Sequence, residues 1–266
     1  TFADPVDVYR GAHTLKNHIM TLFGGQGLAF VLQYDSARLA SGVFGAGWYH
    51  NYEKRLEIDG AQAKVYSSPS VYSLYEANEE NTAFICTTAN KNGYILTIDQ
   101  TQQYPYKIDC NSDHMEYYNT DGYLAKIVDH QGFETEISYS GSVITITDSV
   151  SGKKMYLEKN ADGKVVKVYD DASRQATFTY NGNLLVGICD LNGNSLTYTY
   201  DEQGRIKSGT DSKNICYFEN TYDDCGRVIR QKDGIAGSLP SIFSYESDGK
   251  RLTTDRNGNQ RIRVFD

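Results

Sequence analysis

The sequence predicts an all-β chain: a long antiparallel meander of β-hairpin repeats curling into an open, spiralling partial shell, behind a β-rich amino-terminal module, with almost no helix. Three observations predict it. A Tyr-Asp-x-x-Gly-Arg-like signature returns about every 21 residues from Tyr118 onward. The stretches between turns alternate apolar and polar with period two, and none shows the periodicity of an amphipathic helix. A fixed period of this length marks a repeat architecture, in which each unit buries its apolar face against its neighbours.

Residues 1–117 lack the repeat but read as strands. Alternation and turn spacing place candidates at 65–66, 71–75, 83–87, 94–99 and 104–108, separated by turns at 67–69, 78–81 and 90–93. The Gly24-Gly25-Gln26-Gly27 run reads as a turn between strands, since neither a helix nor the Lys-Ser/Thr end of a phosphate-binding loop follows. Residues 42–52 stand apart. There Gly45 and Gly47 let backbone pass close while Phe44, Trp48 and Tyr52 pack, and Asn51 completes the motif.

Residues 118–266 form the repeat domain. Its equivalent positions are Tyr118, Tyr139, Lys159, Tyr180, Tyr200, Tyr222, Tyr245 and Phe265, separated by 21, 20, 21, 20, 22, 23 and 20 residues. The fullest copies are Tyr200-Asp201-x-x-Gly204-Arg205 and Tyr222-Asp223-x-x-Gly226-Arg227, and Gly122, Gly163 and Gly249 hold the glycine position elsewhere. A second Asp-x-x-Gly-like turn follows each Tyr by 10 or 11 residues, at Asp129, Asp190, Asp211 and Asp255. One repeat is therefore one hairpin. Asp at the first turn position accepts backbone N–H groups two residues on, and Gly at the fourth supplies the left-handed conformation, for which Asn214 substitutes. Two copies shorten the first turn, at Asn181-Gly182 and Ser140-Gly141, while residues 233–238 read as an extended loop.

Between turns, Leu196, Tyr198 and Tyr200 share one face while Thr197 and Thr199 share the other, a register repeated at Phe178/Tyr180, Ile137/Tyr139 and Phe243/Tyr245. Asn220 and Arg263 break it, so those inner positions are expected to meet something other than a dry core. Seven units give about fourteen strands, and so long a twisted sheet is expected to bend.

Composition narrows the function. A formal net charge of -8 with no basic stripe argues against a nucleic-acid partner, and no apolar run is long enough to span a membrane. The five cysteines show neither a C-x-x-C pair nor compact disulfide spacing, and the five histidines are scattered, so no metal site is assigned. The Asp turns lack the six or more oxygen ligands of a calcium loop. Acidic residues recur as turn formers, which gives them a structural reason; no catalytic residue and no cofactor is assigned.

Asp4-Pro5-Val6-Asp7-Val8 with Gly11, then Gly24-Gly25-Gln26-Gly27-Leu28, Tyr34-Asp35-Ser36 and residues 44–52, resembles the amino-terminal module of Rhs (YD-repeat) proteins, and the hairpins after it resemble YD repeats. The resemblance implies a large secreted or cell-surface protein whose repeats form a hollow β-shell around a variable carboxy-terminal toxin in bacterial members. Related repeats occur in insecticidal toxin complexes and teneurins. The family's self-cleavage motif has no match here. The partners so implied are the remaining YD repeats and carboxy-terminal domain of the parent chain. Exposed aromatics leave a rival reading, a carbohydrate-binding adhesion module meeting cell-surface glycans.

Fourteen strands at about 4.8 Å give an arc of about 65 Å, or a ring only about 21 Å across. A 100-residue passenger, with a radius of gyration near 13 Å, exceeds that. The chain is thus expected to form the start of a shell wall, with an unpaired strand edge at Phe265-Asp266.

Overall fold

Hairpin after hairpin, chain neighbours become sheet neighbours. The computed structural model describes residues 6–25, 27–80, 83–89, 91, 93–111 and 113–265. The parts of the expected motifs at Asp4-Pro5, Gln26, Asn81, Asn90, Asn92 and Asp266 lie outside these. Among the described residues there is no helix, and a 21-strand antiparallel sheet, not closed into a barrel, dominates the fold. The region read as repeats contributes fourteen strands, from Leu124–Asp129 to Gln260–Val264, each of five to seven residues. A four-stranded sheet of Val6–Asp7, Ala12–Leu22, Leu28–Asp35 and Trp48–His50 carries most of the amino-terminal segment.

One turn chemistry explains why the hairpins form. In Tyr200–Arg205, the Asp201 Oδ1 accepts the backbone N–H groups of Gln203 and Arg205 at 3.1 and 2.8 Å, and Gly204 N–H closes onto the Asp201 carbonyl at 3.1 Å. Gly204 sits at φ +79°, where a Cβ would strain the backbone. The second turns work the same way: Asp190 Oδ1 accepts from Asn192 and Asn194 at 2.8 and 2.9 Å, and Asp211 Oδ1 from Lys213 and Ile215, both at 2.9 Å. Asn214 occupies the left-handed position at φ +60°, the substitution that geometry tolerates best. Backbone donors thus take up the Oδ1 atom of Asp190, Asp201 and Asp211 in these turns.

Packing groups the chain into two compact units along lines other than the start of the repeat. Residues 1–17, 32–48 and 176–266 form one; residues 18–31 and 49–175 form the other. In the first, amino-terminal segments lie on the aromatic face of the repeats. Phe44 meets Phe178 edge-on at 5.0 Å, Trp48 packs on Tyr198 at 5.3 Å, and Phe243 and Val228 bury Val6. The Gly45 backbone approaches the Asn183 carbonyl so closely that a Cβ would overlap it, and Ala46 N–H donates to that oxygen at 2.9 Å.

In the second unit Asn51 bridges two amino-terminal strands, accepting from Val31 N–H and donating to the Ala29 carbonyl, both at 2.9 Å. Tyr52 is buried nearby, and the Phe30 ring lies 5.0 Å from His50. Leu56 N–H donates to the Gly122 carbonyl at 2.7 Å, so the first repeat glycine also marks a close backbone crossing.

The alternation read from sequence appears as burial: Tyr198 is buried and Thr197 and Thr199 are exposed. Asn220, the break in the pattern, is buried and fully used. Its amide donates to the Ile206 carbonyl at 3.2 Å, and its Oδ1 accepts from Gln231 at 2.7 Å, whose Nε2 lies 3.4 Å from His13 Nδ1. The position therefore meets a polar network contributed partly by the amino-terminal module. Arg263 remains half-buried.

Candidate functional site: the signature residues and a buried ionic cluster

Four of the signature Tyr side chains reach the preceding hairpin. Tyr200 donates its hydroxyl to the Leu185 carbonyl at 2.6 Å, Tyr222 to Ile206 at 2.7 Å, Tyr245 to Val228 at 2.6 Å and Tyr139 to Leu124 at 2.9 Å. In the two fullest preceding copies the acceptor is the residue just after the signature Arg. The acceptor carbonyls sit at register shifts, or β-bulges, of the preceding hairpins, where Leu124, Leu185, Ile206 and Val228 pair with Tyr118, Tyr180, Tyr200 and Tyr222. Burial pushes the Tyr200 and Tyr222 hydroxyls well above the ordinary phenol range, so they stay donors.

The Arg joins repeats in the opposite direction. Arg205 Nε donates to Asp201 at 2.7 Å while its guanidinium lies 4.4 Å from the Tyr222 ring centroid; Arg227 pairs with Asp223 at 2.8 Å and lies 4.6 Å from Tyr245. Tyr reaches one repeat back, and Arg covers the Tyr one repeat forward. The backbone N–H groups freed at the bulges meet the amino-terminal segments: Ile206 donates to the Tyr34 hydroxyl at 2.9 Å, and Val228 to the Gly11 carbonyl at 2.8 Å. Trp48 Nε1 donates to the Tyr200 hydroxyl at 3.1 Å. Tyr180 lies half-buried opposite Leu185, while Gly163, Gly226 and Gly249 occupy the turn position of Gly204, and Gly47 packs under Tyr34.

Tyr118 departs from this pattern. Its hydroxyl donates to Glu116 Oε2 at 2.6 Å. Glu116 occupies an inner row whose cross-strand members Phe84, Leu96 and Ile108 are all buried and apolar. A carboxylate there requires compensation. It comes from the Lys54 ammonium on Oε1, from the His114 Nε2 3.0 Å from the same oxygen, and from Tyr118. Burial raises the Glu116 pKa, but hydrogen bonds from His114, the charge of Lys54 and Tyr118 outweigh it and bring it down to about 2. Hydrogen bonds with Cys110 and then Glu116 push His114 up to about 10 against burial, with Asp113 2.8 Å from Nδ1.

The local chain path explains the cluster. Cys110 N–H donates to the His114 carbonyl at 3.0 Å, closing the hairpin between Tyr106–Asp109 and His114–Tyr118, and Glu116 shares a face with His114 by the two-residue period. The sequence alone does not single out these residues, because Cys-x-x-x-His-x-Glu becomes a convergent set only when the turn lies between Cys and His. The positive φ of Asn111, 55°, marks that turn. His13 and His50 take the other course: both are buried, His50 with Glu53 Oε2 4.0 Å from its Nε2, and burial lowers both to about 3.

A hairpin repeat whose Tyr, Asp, Gly and Arg all serve the joint between units defines a YD-repeat shell protein. The family described as Teneurin YD-shell matches residues 88–220, half of the chain, and the Domain of unknown function DUF6531 matches residues 3–71. The chain belongs to the Rhs/YD-repeat family. Among solved structures it is similar to a chain in the crystal structure of TcdB2-TccC3-Cdc42, at 12% identity and a TM-score of 0.36, over 94% of this chain and 18% of that one. A chain in the crystal structure of TcdB2-TccC3-TEV gives 12% identity and a TM-score of 0.34, over 92% and 18%. The comparison with curated proteins finds no match. This chain thus spans under a fifth of the length of those structural relatives.

Proposed function

We propose that this chain is a non-enzymatic wall segment of a secreted or cell-surface Rhs shell, which encloses and presents another domain of its parent protein. One observation carries the reading: the repeated Tyr, Asp and Arg side chains are spent on building and joining hairpins, as a wall requires, and among the described residues none converges on a substrate-sized site. The amino-terminal module supplies hydrogen bonds to the bulges of the wall, as a starting piece would. Among the described residues no helix is long and apolar enough to cross a membrane. The partner proposed is therefore the rest of the same polypeptide, with the domains divided at residue 117 as the sequence predicts.

Limited proteolysis of the parent chain tests this. The domain carried beyond the repeats is expected to resist cleavage until denaturant opens the wall, and to become sensitive when Tyr200 and Tyr222 are both replaced by Ala. Cleavage of that domain in the intact parent at the rate seen for the domain alone would sink the proposal. Saturable glycan binding by the purified chain, lost on replacing exposed Tyr, would favour the adhesion reading instead. Turnover of a carbohydrate or peptide abolished by a single acidic substitution would establish an enzyme.

A further inference from the structure

The cluster around Glu116 contains more than a compensated carboxylate. Cys110, His114 and Glu116 each offer one ligand atom, and the three atoms lie within 4.8 Å of one another. We propose that these residues form a three-ligand site for a divalent cation of the zinc type at the closed end of the Tyr106–Tyr118 hairpin. The donor set is one thiol, one imidazole and one carboxylate. A thiolate selects against magnesium and calcium, and the mixture of sulfur, nitrogen and oxygen suits zinc, with the fourth tetrahedral position left to water.

The surroundings point the same way. A metal-binding imidazole characteristically gives its second nitrogen to a carboxylate, which fixes the ring, and ligating carboxylates are themselves hydrogen-bonded. Here His114 Nε2 faces Glu116 while Nδ1 lies 2.8 Å from Asp113 Oδ2; Glu116 Oε1 faces His114 while Oε2 accepts from Tyr118 at 2.6 Å. Both outer partners are therefore on the far side of the ligand they orient. Cys110 and Glu116 are buried, which excludes competing water, whereas the His114 side chain is 24% exposed and leaves a route of entry.

Lys54 is the built-in competitor. Its ammonium contacts the Glu116 oxygen that would face the metal, and its side chain is 25% exposed, so it can swing to solvent without losing hydration. A cation at this site is thus exchanged for another rather than added to a neutral pocket.

Titration of the purified 266-residue chain with Co2+, followed by competition with Zn2+, tests the site. One equivalent of Co2+ is expected to produce a thiolate-to-cobalt charge-transfer band and tetrahedral visible bands, both removed by Zn2+. Cys110→Ser is expected to abolish the charge-transfer band, Asp113→Asn to weaken binding about tenfold, and Lys54→Met to tighten it by about tenfold. Absence of the band in the wild-type chain, its persistence in Cys110→Ser, or weaker binding by Lys54→Met would overturn the proposal. Because a cluster variant can unfold, cobalt X-ray absorption of the wild-type chain provides a second reading. A first shell with one sulfur supports the site, and a shell with none or with two refutes it. None of these readouts depends on enclosing a passenger, so the wall proposal and this site fail separately.

Discussion

Gly45 and Gly182 show how differently two glycines with positive φ can be used. Gly45, at φ +91°, faces the Asn183 carbonyl, and a Cβ would overlap that backbone oxygen; Gly182, at φ +57°, has open space around its Cβ position. Gly182→Ala is expected to cost about 1 kcal/mol, the left-handed penalty alone. Gly45→Ala adds a backbone displacement and should cost about 3 kcal/mol or more. Urea unfolding of both variants checks this; equal costs would mean that the close approach does not constrain the fold. His13 and His50 give a residue-scale pH dependence. Buried and neutral, with pKa values brought down to about 3, they leave the unfolded chain, with its ordinary value of 6.5, binding more protons below that pH. Their contribution is full above pH 6.5 and falls with pH until about 3, by about 1.5 kcal/mol each between pH 6.5 and 5. His114, raised instead of lowered, contributes fully below 6.5 and loses its contribution as pH rises through about 10, so the acid window isolates the buried pair. The expected result is a stability slope between pH 5 and 6.5 that shrinks in His13→Asn and His50→Asn; an unchanged slope would show that these rings are not buried neutral.

At the scale of the hairpin, the signature is a joint with a forward and a backward half. Tyr222 holds the Ile206 carbonyl of the preceding hairpin, while its own ring is covered by Arg205, which Asp201 holds in place. A double-mutant cycle on Arg205→Met and Tyr222→Leu should therefore return a coupling of about 0.5–1 kcal/mol, the value of a partly exposed cation–π contact. A coupling near zero would mean that the guanidinium serves only its turn. Tyr222→Phe should cost about 0.5–1.5 kcal/mol in urea unfolding, the net value of one hydrogen bond, because the Ile206 carbonyl keeps the Asn220 amide as a donor at 3.2 Å. Hairpins were legible in the sequence because their information is local: Asp, Gly and the period-two alternation act within about ten residues. The backward reach of Tyr was not, since it depends on a bulge that no composition rule places. The Glu116 cluster was illegible for a related reason. Its members are two and four residues apart, but only the turn at Asn111 turns that spacing into convergence, and its fourth member, Lys54, arrives from another strand pair.

Over the whole chain, local hairpins are tied by a few contacts between residues far apart in sequence. Tyr34 accepts from Ile206, 172 residues on, Trp48 donates to Tyr200, 152 residues on, and Gln231 meets His13 across 218 residues. The first two of these ties run from the amino-terminal module to the bulge where Tyr200 pairs with Ile206, a place where the ladder leaves an N–H group and a carbonyl without strand partners. The module therefore completes the hydrogen bonding of the repeats as well as burying their aromatic face. Long-range closure of this kind is made late and at an entropic cost, whereas each hairpin forms locally. Trp48, fully buried between Tyr34 and Tyr198, is the test residue. Trp48→Ala should destabilise residues 176–222 by about 3–5 kcal/mol through the cavity it opens, and the loss should appear as reduced amide protection in Leu184–Cys189 and Ser195–Tyr200. Trp48→Phe, which restores most of the volume but not the Nε1 donor, should recover the greater part of that protection. If the two strands exchange at wild-type rates in Trp48→Ala, the repeats stand without the module, and its role as a foundation for the wall fails.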